Sequence, residues 1–205
     1  MLTPWFSCLL LRGAVVGLAA GLITGAGPAG AAAPPPTSLI SDDLVNEIRG
    51  WLDTPVVDLS IAAKNEATAD LRQSDVDRLD RQWRAEVETD DQPLITEILS
   101  SPLSNYLLQI QAGSLGLYAE IFVINNVGLN VGQSAITSDY WQGDEAKFQK
   151  TYDVGPDAVF IDAPEFHEGT QTWRAQLSLT INDDLGRKSG VATVEINLTE
   201  LSRRK

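Results

Sequence analysis

Trp173-Arg174-Ala175-Gln176-Leu177-Ser178-Leu179-Thr180-Ile181, the loop Asn182-Asp183-Asp184-Leu185-Gly186, and the return run Gly190-Val191-Ala192-Thr193-Val194-Glu195-Ile196-Asn197-Leu198 together decide the fold. In the first run Trp173, Ala175, Leu177, Leu179 and Ile181 alternate with Arg174, Gln176, Ser178 and Thr180. A period of two is that of a strand with one buried face. The Asn/Asp/Gly loop carries hairpin-turn residues. The return run sends Ala192, Val194, Ile196 and Leu198 one way and Val191, Thr193, Glu195 and Asn197 the other. The pair is therefore an antiparallel hairpin. Its polar row (Arg174, Gln176, Ser178, Thr180) faces either solvent or a pocket.

Working back along the chain, Leu117 to Ile124 reads as a strand, Asn125-Asn126-Val127-Gly128 as a turn and Leu129 to Val131 as a short return; Ala158 to Ile161 reads as a further strand. Tyr118 and Glu120 face the same choice as the polar row. Before Leu117 the apolar period is helical. Leu44, Ile48, Trp51 and Leu52 follow a capping Ser41, and Thr54-Pro55 opens a second helix with Leu59, Ala62 and Ala63 in its stripe. Val76, Leu79, Trp83 and Val87 mark a third helix, starting at Ser74. Ser101-Pro102 opens a short one with Leu103, Tyr106, Leu107 and Ile110 on one side. Trp51, Trp83 and Trp173 read as core residues. Helices first and an antiparallel sheet of about five strands after them make an α+β domain.

Residues 1–33 carry a different pattern. A weakly basic lead precedes an uncharged stretch from Gly13 to Thr24, two small-x-small sites, Ala29-Gly30-Ala31 and Ala31-Ala32-Ala33, come next, and Pro34-Pro35-Pro36 follows. This is the pattern of a cleaved secretory signal peptide, with a Pro-rich linker over 34–40, one domain over 41–201 and a basic tail over 202–205. The protein is expected to be periplasmic or secreted. Cleavage would remove Cys8, the sole cysteine, so no disulfide or thiol chemistry is expected. The formal net charge is −13, and the leader holds one basic residue, Arg12, and no acid. An excess of negative charge argues against nucleic acid and anionic membrane surfaces as partners.

The stretches Glu120–Asn125 and Gly128–Ser134 resemble the first hairpin of Cache sensor domains, the PAS-like periplasmic domains of the PhoQ–DcuS–CitA class. The segment Thr137-Ser138-Asp139-Tyr140-Trp141-Gln142-Gly143-Asp144-Glu145-Ala146-Lys147-Phe148 resembles the strip that lies over one sheet face in those sensors and closes the ligand pocket. The final hairpin, with Gly186 and Gly190–Val194, is similar to their closing strands. The resemblance spans roughly Ser38 to Leu201 and implies N-terminal helices packed on a PAS-like sheet. It further implies a small-molecule ligand (an amine, amino acid or organic acid), no enzymatic activity and no cofactor. A membrane receptor or transporter would receive the signal, since the chain shows no second apolar span and no output module. A homodimer through the N-terminal helices also fits the family.

The ligand site is placed on this strip. Tyr140 and Trp141 offer flat faces with polar tips. Asp139 can accept from an ammonium or hydroxyl group, and Lys147 can meet a carboxylate. Tyr118, Gln176 and Ser178 complete the expected set from the sheet. Equally, Tyr140 and Trp141 could simply plug the sheet, with Asp144 and Glu145 capping a helix. Asp162, Glu165, His167 and Glu168 have metal-ligand side chains, but their spacing fits no fixed geometry, and Pro164 and Gly169 mark an exposed loop; no metal is expected. His167 is the only histidine, and no G-x-S-x-G, phosphate loop or H-E-x-x-H occurs, so no catalytic residue is assigned. The competing reading is a ligand-free docking protein on the same fold, which an exposed apolar patch on the N-terminal helices would favour.

Overall fold

The computed structural model describes residues 33–205. The expected leader up to Ala32, and Cys8 with it, lies outside the described residues. Among the described residues no helix is long and apolar enough to cross a membrane.

Among the described residues, a short 3-10 turn (Thr37–Leu39) and five α-helices precede the sheet: α1 (Asp42–Leu52), α2 (Pro55–Ala67), α3 (Gln73–Val87), α4 (Pro93–Leu99) and α5 (Pro102–Gly113). Pro sits in the first turn of α2, α4 and α5, where its missing N–H costs no hydrogen bond. At Ser101 the side chain caps α5, its Oγ accepting from the Ser104 N–H at 3.1 Å. Thr54, expected to cap α2, makes no side-chain cap bond. α4 was not expected: seven residues are too few to establish a helical period.

Six strands form one antiparallel sheet: β1 (Tyr118–Asn125), β2 (Asn130–Gln133), β3 (Val159–Ile161), β4 (Glu165–His167), β5 (Thr172–Asn182) and β6 (Lys188–Asn197). The order is β2-β1-β6-β5-β3, with β4 pairing β5 beyond β3. The fold is the α+β arrangement expected, N-terminal helices packed on an antiparallel sheet, with six strands where about five were expected. β4 replaces part of the expected exposed loop, because Phe166 pairs with Trp173 across the ladder. Between β2 and β3 lies a strip that includes the four-residue helix α6 (Ala146–Gln149), and α7 (Leu198–Arg203) follows β6.

Both ends of the packed structure reach beyond residues 41–201. Ile40, assigned to the linker, is 6% exposed within the core, and α7 runs into the expected tail. The main core lies between the helices and one sheet face. Ile48, Val57, Ile61, Leu103 and Leu107 meet Ile121, Val123, Leu177, Val194 and Ile196 there. These strand residues are the apolar halves of the alternating runs. A second cluster joins α3 and α4 to the β1–β2 hairpin through Trp83, Ile95, Leu129 and Tyr140. A third, smaller one lies on the other sheet face, where Phe122, Ile124 and Val191 meet Phe148 of α6. That third cluster holds the strip against the sheet.

Candidate ligand-binding cleft

Two rows of side chains on the face of the sheet away from the helices underlie the cleft. Register sets Glu120 of β1 opposite Glu195 of β6, and Glu195 opposite Gln176 of β5. The next row is Phe122, Thr193 and Ser178. Directly opposed residues on one face hold their Cβ atoms about 5 Å apart. Ser178 and Thr193 spend their hydroxyls on each other at 3.0 Å, and both are buried.

Over these rows lies the strip from Ile136 to Lys147, and two cavities adjoin beneath and beside it. The smaller, about 140 Å³, lies among Glu120, Phe122, Ile136, Asp139, Gln142 and Lys147. The larger, about 210 Å³, lies among Glu145, Lys147, Asp162, Glu165, Arg174 and Glu195. Lys147 and Gln176 line both and form the seam.

A hydrogen-bonded chain fixes the strip above the seam. The buried Gln142 donates through Nε2 to Asp139 Oδ1 and accepts at Oε1 from Lys147 Nζ at 3.1 Å. Lys147 also pairs with Glu145 at 2.9 Å and lies 5.2 Å from the centroid of the Phe122 ring. Arg174 pairs with Glu195 at 2.8 Å. Glu120 makes no hydrogen bond or ion pair through its carboxyl among the described residues. Burial, reinforced by the facing Glu195, pushes its carboxyl up to about 7, against the pull of Lys147 and Arg174.

The structure divides the expected site residues. Asp139, Lys147 and Gln176 line the cleft. Ser178 sits in the second row, bonded to Thr193. Tyr140 is not in the cleft: it is fully buried, stacks on Trp83 with centroids 5.2 Å apart, and belongs to the α3–α4 cluster. Its backbone N–H and that of Trp141 both donate to Asp80 Oδ1 of α3, at 2.9 and 3.0 Å. These bonds turn the two rings toward α3 and the hairpin turn. Trp141 donates from Nε1 to the Val127 carbonyl at 3.0 Å and packs against Gly128 and Gly143. Both rings plug the structure and line neither cavity.

Tyr118 is on the opposite sheet face. Between Tyr118 and Glu120 the β1–β6 register shifts by one residue. An extra residue in one strand rotates everything before it to the other side. Tyr118 therefore joins the helix-side core and donates its hydroxyl to Glu47 of α1 at 3.1 Å, while Glu120 stays with the cleft.

Sequence reasoning left Glu120, Gln142, Arg174 and Glu195 off the expected ligand set. For Glu120, Arg174 and Glu195 the signal was present in the alternation; what was missing was the knowledge of which face the strip covers. Asp162 and Glu165 rim the larger cavity, whereas His167 points to Thr170, with Nδ1 2.9 Å from its Oγ1 on an exposed strand. Among the described residues, no group of three His, Cys, Asp or Glu side chains is placed to hold a metal ion.

No family model and no curated protein matches the chain in sequence. Among solved structures it is similar to the ligand-binding domain of the Pseudomonas aeruginosa amino acid chemoreceptor PctC in complex with GABA, at 16% identity over 78% of this chain and 63% of that one, TM-score 0.40. It is similar to the sensory domain of the Campylobacter jejuni chemoreceptor Tlp3, at 15% identity over 78% and 64%, TM-score 0.40. It is also similar to the Escherichia coli DcuS sensor domain, at 16% identity over 64% of this chain and 92% of that one, TM-score 0.38. The chain spans less than two thirds of the two chemoreceptor domains. These solved structures are chemoreceptor ligand-binding and sensory domains and a bacterial sensor domain, and the chain is similar to them in fold.

Proposed function

We propose that this protein is the ligand-binding sensor module of an exported protein, cleaved after Ala33 and working in the periplasm or outside the cell. It binds a small amine, amino acid or organic acid and passes the bound state to a separate membrane receptor or transporter. The observation that carries this reading is the pair of adjoining cavities between the strip and the sheet, with Lys147 and Gln176 at their seam. Cavities of about 140 and 210 Å³ suit molecules of a few heavy atoms. Polar groups converge on them from four strands and the strip, which is how small-ligand sites fix orientation.

The test is a thermal-shift screen of amines, amino acids and organic acids on the exported form. A specific binder raises the melting point by mass action. Gln176→Trp, which fills the seam, is expected to abolish the shift. No shift with any compound, or a shift that survives Gln176→Trp, would refute the reading.

A second reading, docking without a ligand, has one observation in its favour. Leu59 of α2 is 70% exposed and Leu185 of the β5–β6 loop 74% exposed, beside a groove of about 420 Å³ walled by Asp58, Ala62, Asp183 and Lys188. Size-exclusion chromatography of Leu59→Glu beside the parent would show whether that face, or the N-terminal helices generally, supports a homodimer.

A further inference from the structure

The cleft's charge balance is unusual for a pocket serving carboxylates. Its two cavities are lined by Glu120, Asp139, Glu145, Asp162, Glu165 and Glu195, against Lys147 and Arg174 alone. Both cations already have partners: Lys147 in Glu145 and Gln142, Arg174 in Glu195 and Thr170. A carboxylate ligand would have to displace one of these bonds and then face the remaining acids. A cationic ligand meets unspent acceptors.

Within this cleft the pair Glu120–Glu195 is singular. Register places the two side chains directly opposite each other on one face of the ladder. Like charges so placed repel. Glu195 has Arg174, while the Glu120 carboxyl has no bonded partner among the described residues. The charged groups around Glu120 come from every element packed on it: Glu195 from β6, Arg174 from β5, and Asp139, Glu145 and Lys147 from the strip, with Asp162 and Glu165 at the rim. From β5 the neutral Gln176 completes the ring.

We propose that the cleft takes its ligand by a primary ammonium group at Glu120 and Glu195, and that entry of the ammonium sends a proton from Glu120 to solvent, so that occupancy follows pH as well as ligand concentration. This rests on the cleft being the ligand site. No bond to carbon forms or breaks; one cation enters the cleft and one proton leaves it. Burial and the facing Glu195 keep a proton on Glu120 near neutrality. The ligand's ammonium, with an ordinary value near that of lysine (about 10.4), stays charged throughout that range. An acidic environment would therefore empty the module without any change in ligand supply.

The experiment is calorimetric titration of the exported form with n-butylammonium, 4-aminobutyrate, n-butyrate and 1-butanol at pH 5.5, 6.5, 7.5 and 8.5. Ammonium-bearing probes should bind, with affinity rising close to tenfold between pH 5.5 and 6.5 and levelling above about 8. Buffers of different ionisation enthalpy should show proton release below neutrality. Glu120→Gln should weaken binding at pH 8.5 and flatten the pH dependence. As a ligand-free check, carbon-detected NMR should place the Glu120 carboxyl titration near neutrality in the parent and lower in Glu195→Gln.

Binding of butyrate but not of the ammonium probes would overturn the inference and leave the cleft reading standing. So would ammonium binding of equal strength at all four pH values, or a pH dependence that persists in Glu120→Gln. Failure of all four probes, together with an ordinary Glu120 titration, would remove both.

Discussion

Tyr140 lies flat on Trp83, ring centroids 5.2 Å apart and planes 13° from parallel, while Trp83 Nε1 donates to the Thr137 carbonyl at 2.9 Å. One tryptophan of α3 thus grips the strip at two points three residues apart. The rings are structural, and the cleft depends on them indirectly, through the placement of Asp139 and Gln142 between and beside the two grips.

Tyr140→Ala should therefore cost on the order of 3–5 kcal/mol, the range for deleting a large buried ring. Tyr140→Phe should be neutral or mildly stabilising, because the Tyr140 hydroxyl is buried without a hydrogen-bond partner, and burial pushes the phenol's titration upward. Urea unfolding of both variants separates the two effects. A loss above 1 kcal/mol in Tyr140→Phe would mean that the hydroxyl has a bonded partner, such as ordered water.

Asp80 joins α3 to the strip's backbone. It accepts from the Tyr140 and Trp141 N–H groups through Oδ1 and from Arg84 Nε through Oδ2 at 2.7 Å. Asp80→Ala leaves both strip donors unsatisfied and should destabilise by roughly 1–3 kcal/mol. Hydrogen exchange should locate the loss, with faster exchange at residues 139–142 and little change in β5 and β6.

Gly128 and Gly143 meet across the Trp141 indole. A Cβ on Gly143 would come 2.5 Å from Trp141 Nε1, and Gly128 holds a φ of +89°. Gly143→Ala should cost roughly 1–3 kcal/mol by overpacking. Combined with Trp141→Ala, that cost should largely vanish, a coupling measurable in a double-mutant cycle. Gly128→Ala should stay costly even then, since its left-handed backbone resists any side chain.

The ligand-free domain should lose stability as pH rises from 5 to 8. Between about pH 5 and 7 the folded protein still holds a proton on Glu120, whose carboxyl is pushed up to about 7, while the unfolded chain has already released it, so the loss is concentrated there and levels off by pH 8. Unfolding then gives up a proton, so raising the pH favours the unfolded state. Glu120→Gln should flatten the trend, by roughly 1–3 kcal/mol across the window. Melting curves of parent and variant at matched pH values measure the difference directly.

What the sequence determined by itself is the two-layer plan. Alternation in Trp173–Ile181 and Val191–Leu198 assigned each residue of the long hairpin to a face, because the strand period is fixed by backbone geometry. Helical spacing in Leu44–Leu52 and Val76–Trp83 did the same for α1 and most of α3, while Val87, expected in the same stripe, is exposed and Glu86 is buried in its place. What only the tertiary structure decided depends on contacts distant in the chain. Tyr118 changed faces because one extra residue entered β1 opposite β6. Tyr140 and Trp141 turned from the cleft because Asp80, about sixty positions earlier, holds their amides. α4 and β4 are too short to announce themselves, and β4 exists by pairing with β5. Glu120 and Glu195 face each other because strands 75 residues apart in sequence lie side by side in register. Local periodicity records which way a side chain points along its own element, and it holds no record of what another element will bring against it.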